Sequence, residues 1–290
     1  MNKSCGNLNS LPYEMKLQLL YGLKSFTVLR NLCSSSSEWN TICSQNRSVI
    51  MANIFFNKFG KLAFENEKVL KFMGDFRLVK TLADLGADIH IDEDKPFLYS
   101  AKYGNLEVVK YLVERGANVG YKPLFCSARY GHLEVVKYLV ERGANIHYNV
   151  FGNNVLTNAL HHLEVVRYLV ESGVNITIYN LYEAIPEDRI EIIRLYLSNH
   201  TFNQLELANA LNEASIYGNL KIVKLLYSHG APIWDTALVN SARYGHLEIV
   251  KFLVLNAVNI SSQAIRKSIS KSIRHGHLKI AKYLLKKVKS

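Results

Sequence analysis

The stretch YGNLEVVKYLVERGAN at 103–118 returns almost letter for letter as YGHLEVVKYLVERGAN at 130–145. Outward from this pair, one apolar slot can be followed along the chain through Phe76, Leu106, Leu133, Leu163, Ile190, Leu220, Leu247 and Leu278. The steps are 30, 27, 30, 27, 30, 27 and 31 residues. A period in this range marks a stacked repeat array, in which each unit buries its apolar face on its neighbours. Within a copy, Leu106, Val109, Leu112 and Val113 stand at i, i+3, i+6 and i+7, which predicts a helix with one buried stripe. Ahead of it, the sequence S-A-[KR]-Y-G occurs at 100–104, 127–131 and 241–245. Two small residues let a first helix pack closely, and the glycine supplies the left-handed residue that ends it. Asn105, His132, Asn219, His246 and His277 follow in the turn, and Gly116, Gly143, Gly173 and Gly230 close the second helix.

These residues resemble the ankyrin repeat, whose A-A-x-x-G-H-L-E-[IV]-V-x-x-L-L-x-x-G-A-[DN] core is nearly spelled out at 101–118, 128–145 and 242–259. The likeness runs from about residue 72 to the C-terminus. The V-K-Y-L-V-E flavour is similar to ankyrin proteins of large DNA viruses that infect amoebae. The family's T-P-L-H start survives only as Lys122-Pro123-Leu124-Phe125, and most steps are shorter than the usual period. The missing residues are expected to come from trimmed β-turn fingers, with longer ones near 87–98, 144–156, 199–212 and 257–270. The expected fold is all-α: an ankyrin-repeat solenoid of helix-turn-helix units with shortened fingers, preceded by a small helical N-terminal domain. The expected divisions are a disordered terminus at 1–10, a helical segment at 11–60 and about seven to eight repeats over 61–290.

The segment LPYEMKLQLLYGLKSFTVLRNLCSSSSEWNTIC at 11–43 stands outside the repeat. Pro12 suits a first helical turn, and Met15, Leu19, Leu20 and Leu23 then fall on one face. Shorter helices are expected from about Val28 to Cys33 and through Trp39 and Ile42. The order L-P-x-E, L-L-x-x-L, a leucine helix and S-x-x-W resembles the F-box. That resemblance implies docking on the adaptor subunit of a cullin-type ubiquitin ligase through Leu11, Pro12, Leu19, Leu20 and Leu23. The usual D-P-x-D-L and V-S-x-x turns are replaced by Lys24-Ser25-Phe26-Thr27-Val28 and by Ser34 to Ser37. The other reading of the segment is a helical cap on the first repeat. Ile54, Phe55, Phe56 and Phe59 would pack it on the array, and Leu62 to Phe72 reads as a worn first helix.

In ankyrin proteins the two slots after the paired small residues lie on the concave, partner-binding face. Here they hold Lys102-Tyr103, Arg129-Tyr130, Ile216-Tyr217, Arg243-Tyr244 and Arg274-His275. Cations beside tyrosines suit a protein target with an acidic surface; the other account is recent copying of one repeat. Two copies have drifted: the turn before Leu163 is one residue short, and the copy at 183–200 has Pro186 and no turn glycine.

The 290 residues carry a formal charge of +11, and after Glu248 ten Lys and Arg residues follow with no acidic one. This end reads as a solvated cap, with nucleic acid the weaker alternative. The four cysteines make no C-x-x-C, which reads as a reduced, intracellular protein of cytoplasm or nucleus. No secretion signal and no membrane span are expected, nor a membrane partner. The recurring histidines are periodic, so no metal site is read from them, and no cofactor or catalytic motif is found. The chain is expected to be a monomer and not an enzyme. Its expected role is an adaptor that recruits a target to a ubiquitin ligase, with a plain ankyrin scaffold as the alternative.

Overall fold

A computed structural model describes residues 8–23, 25–149, 153–257 and 260–289. Expectations for the first seven residues, Lys24, and parts of the 144–156 and 257–270 fingers lie outside the described residues. The chain forms two compact units, Met1–Asn145 and Ile146–Ser290.

The first unit opens with four helices: α1 (Tyr13–Tyr21), α2 (Phe26–Cys33), α3 (Ser37–Gln45) and α4 (Arg47–Phe59). Pro12 stands immediately before α1, and the Ser36 hydroxyl accepts the Trp39 N–H to cap α3. Leu20, Trp39, Ile42, Ile50 and Ile54 make a buried cluster shared by α1, α3 and α4. The Phe55 ring of α4 meets Phe26, Phe59 and Phe72, and α4 packs on the helix Phe76–Asp84, so the aromatic patch joins the segment to the first repeat as the sequence implied. The worn first helix is a 3-10 stretch, Gly60–Glu65, and a single turn, Glu67–Leu70.

Each of the eight apolar slots begins a second helix. In the first unit these are Phe76–Asp84, Leu106–Glu114 and Leu133–Glu141. In the second they are Leu163–Glu171, Ile190–Asn199, Leu220–Ser228, Leu247–Asn256 and Leu278–Lys289. The buried stripe includes one position the spacing missed: Val108 is as buried as Val109 and Leu112. The Ser-Ala pairs sit where successive first helices meet. Ser100, Ser127 and Ser241 are fully buried, and each hydroxyl donates within its own helix, to the carbonyls of Phe97, Leu124 and Leu238. A small polar residue thus permits close approach without leaving a hydroxyl unbonded.

The alternating period has a different cause from trimmed fingers at two of the long copies. There the extra residues lengthen the first helix: Gln204–Tyr217 and Ser262–Arg274 have 14 and 13 residues, against 9 in Tyr121–Arg129 and 10 in Asp235–Tyr244. Early caps explain it. Asn203 and Glu206 form a reciprocal capping box, and Ser261 accepts the Ala264 N–H, so the helix starts inside what was expected to be a finger.

The turn polar residues reach back one repeat. The His132 imidazole donates from Nε2 to the Lys102 carbonyl at 2.8 Å, and His246 donates likewise to Ile216 at 2.9 Å. Asn105 donates to the Gly74 carbonyl and Asn219 to that of Ile185. At these four turns a carbonyl left open by the preceding copy is thereby bonded by the following repeat. This is why histidine or asparagine recurs there, and it accounts for the periodicity without a metal. Gly104 also makes room for His132, since a Cβ at residue 104 would stand 2.6 Å from the imidazole Cγ.

The drifted copies are formed. Asp188 takes the place of the missing turn glycine with φ +52, a conformation aspartate tolerates better than most residues. The shortened copy keeps only Val155–Asn158 as its first helix. It is secured by buried Asn154 and Asn180, whose side-chain amides bond each other at 2.9 and 3.1 Å. Asn154 also accepts from Leu156 and Thr157, and Asn180 accepts from Thr177, so neither amide is left unbonded.

Candidate recognition surfaces

The cation and tyrosine slots fall at the C-terminal ends of first helices; at 102–103, 129–130 and 243–244 they directly follow a buried Ser-Ala pair. In the first unit Lys102 is half-buried while Tyr103, Arg129 and Tyr130 are exposed. Lys102 Nζ stands 5.4, 5.9 and 5.6 Å from the ring centroids of Tyr99, Tyr103 and Tyr130, so one ammonium joins the rings of successive repeats. In the second unit Tyr217, Arg243, Tyr244 and Arg274 are all exposed, and the Arg243 guanidinium lies 5.4 Å from the Tyr244 ring. The four slot tyrosines are between 41% and 51% exposed, enough to bury a large rigid face against a partner. Tyr99, which the sequence pattern did not single out, is half-buried and shares the Lys102 ammonium with Tyr103 and Tyr130; its signal was its place one turn ahead of Tyr103 on the same helix.

The five residues matched to the F-box separate into two groups. Pro12 and Leu19 are exposed, and Leu11 is half-buried. Leu20 is 0% exposed at the centre of the N-terminal cluster, and Leu23 is half-buried against it. Leu20 is therefore corrected from docking residue to core, because the stripe that carries it faces Trp39 and Ile54. Exposed Met15 and Tyr13 flank Pro12 and Leu19 on the outer side of α1. Sequence reading also missed Lys16. Its side chain is 3% exposed, its ammonium pairs with Glu38 at 2.6 Å, and it lies 5.7 Å from the Trp39 ring centroid.

The reading of reduced cysteines is corrected too. Cys33 and Cys43 form a disulfide, their Cα atoms 5.9 Å apart where α2 and α3 pack together. The absence of a C-x-x-C pattern says nothing about cysteines brought together by a helical turn-back. Cys126 is a free thiol whose pKa burial pushes up, against the pull of Lys102 and Arg129, so it is a poor nucleophile.

Between the repeats of the first unit, Asp92, Glu93 and Asp94 hold three successive left-handed φ values of 54°, 56° and 62°. Asp94 fixes this turn: it bonds His90 Nδ1 at 2.7 Å and accepts the Asn118 N–H at 2.9 Å. The Asp94 contact is the chief reason the His90 pKa is raised. Among the described residues no group of three or more His, Cys, Asp or Glu side chains is placed to hold a metal ion, and no helix is long and apolar enough to cross a membrane.

The family described as ankyrin repeats matches residues 69–150, 119–180, 181–264 and 211–290. The ankyrin repeat protein R886 of Acanthamoeba polyphaga mimivirus is 45% identical over 38 residues, which is 13% of this chain and 29% of that protein. The chain thus matches less than a third of that relative's length. The crystal structure of the human ASB11 ankyrin repeat domain is similar with a TM-score of 0.54 and 25% identity, covering 66% of this chain and 96% of that domain.

Proposed function

The chain belongs to the ankyrin-repeat family, a fold that serves protein–protein interaction, and from that premise we propose that it is an adaptor joining a protein target to a cullin-type ubiquitin ligase. The target is held by the first-helix ends, through Lys102, Tyr103, Arg129 and Tyr130 in one unit and Tyr217, Arg243, Tyr244 and Arg274 in the other. The observation that carries this is the recurrence of half-exposed tyrosines beside cations at one position of successive repeats. Tyrosine buries area at small entropic cost, and arginine forks onto carboxylates, so an acidic protein surface is the fitting target.

The ligase end is the outer side of α1, with Leu11, Pro12 and Leu19 as contacts and Leu20 and Leu23 as the core that holds them in place. The protein does no chemistry in this scheme. It raises the concentration of the target beside a ubiquitin-loaded partner. The purified adaptor subunit of a cullin ligase tests the docking end in a direct binding titration. A variant with Pro12→Ala and Leu19→Asp keeps Leu20 and the fold, and the proposal requires it to lose the binding shown by the unaltered chain. Absence of binding by the unaltered chain makes residues 11–43 a cap and leaves the alternative of a plain ankyrin scaffold.

A further inference from the structure

The Cys33–Cys43 disulfide of the first unit borders two cavities, of about 410 and 490 Å³. Both are walled by Arg30, Cys33 and Asn40, and Cys43 lines the first alone. Cys33 is half-buried and Cys43 buried, so the Cys33 sulfur is the one open to a small molecule. A molecule in the second cavity meets Cys33 and not its partner. The helix that carries Cys33, α2, has no buried residue, so little packing holds this half of the bond out of reach.

Charge selects what can react there. Arg30 lies one turn ahead of Cys33 on α2, and Arg47 opens α4 and lines the first cavity. Both are exposed, and among the described residues neither is in an ion pair. No Asp or Glu lines either cavity. Between residues 15 and 64 the single acidic residue is Glu38, and Lys16 already pairs with it. Two guanidiniums draw in an anionic thiol, and they also stabilise the thiolate that leaves when the bond opens.

We propose that the Cys33–Cys43 disulfide is an exchange site for small carboxylate-bearing thiols. The incoming thiolate attacks Cys33 Sγ and forms a mixed disulfide with it. The Cys33–Cys43 bond breaks, its electron pair leaves on Cys43 Sγ, and that thiolate takes a proton from water. A second thiolate attacks the sulfur of the bound small thiol and releases a small-molecule disulfide, and Cys33 Sγ leaves and is protonated. Two small thiols are thus oxidised for each protein disulfide reduced. The site is separate from the tyrosine slots and does not depend on the ligase reading.

The test reduces the full chain with mercaptopropionate, mercaptoethanol and cysteamine, whose thiolates are a dianion, a monoanion and a zwitterion. Alkylation and peptide mass spectrometry follow the Cys33 and Cys43 peptides. Each rate is divided by the thiolate concentration and by the rate of the same thiol with hydroxyethyl disulfide, which cancels intrinsic nucleophilicity. Mercaptopropionate should react about tenfold or more faster than cysteamine, with mercaptoethanol between them, and about 1 M salt should close most of that gap. Arg30→Gln with Arg47→Gln should close it likewise at low salt, with the far-UV circular dichroism of the parent. Acid quenching early in the reaction should trap the small thiol on Cys33. Equal rates for the three thiols, a gap insensitive to both salt and the arginine substitutions, trapping on Cys43, or a purified chain without the disulfide would each overturn the proposal.

Discussion

Replacing Gly104 by alanine probes the link between repeats at its tightest point. Gly104 has φ +74, and its Cβ would stand 2.6 Å from Cγ of the His132 imidazole, the ring that donates to the Lys102 carbonyl. Two costs follow. A left-handed alanine is disfavoured by about 1–2 kcal/mol, and displacing His132 leaves the Lys102 carbonyl without its partner, at about 1–3 kcal/mol. Gly143 separates them, because it has φ +86 with nothing within 4 Å of a built Cβ, so Gly143→Ala carries the first cost alone. Gly104→Ala should therefore destabilise the first unit by about 2–5 kcal/mol and Gly143→Ala by about 1–2. In a His132→Ala background the Gly104 substitution should fall back to the Gly143 value, giving a coupling of about 1–3 kcal/mol between the two sites. Urea titration gives the totals, and amide exchange across Leu106–Glu114 and Leu133–Glu141 locates them. Equal costs for the two glycines, with no coupling to His132, would refute the argument that the turn histidine joins one repeat to the next.

Asp188→Gly should raise stability by about 1 kcal/mol, because it removes a left-handed non-glycine residue; slower exchange over Ile178–Ala184 is the expected sign, and faster exchange would contradict it. Substitution of both Cys33 and Cys43 by serine should cost about 2–3 kcal/mol, the loop-closure value for their separation of 10 residues. Dithiothreitol should bring the parent to the same stability, and an unchanged parent would show that the pair is not joined. The raised pKa of His90 means that its contact with Asp94 stabilises the fold fully below the ordinary histidine value near 6.5, and that this stabilisation is lost as pH rises through the higher folded value. NMR titration of the His90 ring should show the upward shift, and Asp94→Asn should abolish it.

The second helices were fully legible because Phe76 to Leu278 recur at a fixed slot, and a slot that must be buried in every copy leaves a period in the sequence. First-helix length was not, because Asn203 with Glu206, and Ser261, start their helices through local caps that occur once and have no period. The tyrosine slots follow a pattern in the sequence and the structure places them 41% to 51% exposed, whereas Tyr99 beside Lys102 stands in one copy only and so leaves no period. Leu20 was misplaced for a plain reason: on an amphipathic helix, residues at i and i+1 such as Leu19 and Leu20 fall on either side of the boundary between core and solvent. The Cys33 and Cys43 pair and the buried Lys16 with Glu38 depend on how α1, α2 and α3 fold back on one another, which no spacing rule records.

The adaptor account is tested most directly by quantifying ubiquitylated peptides in eukaryotic cells that express the chain, the Pro12→Ala and Leu19→Asp variant, or a variant with Tyr103→Ala, Tyr130→Ala and Tyr244→Ala. The account predicts at least one protein whose ubiquitylation rises with the unaltered chain and with neither variant, since both ends must be occupied at once. A target that still binds the unaltered chain through the tyrosine slots but gains no ubiquitin would contradict it.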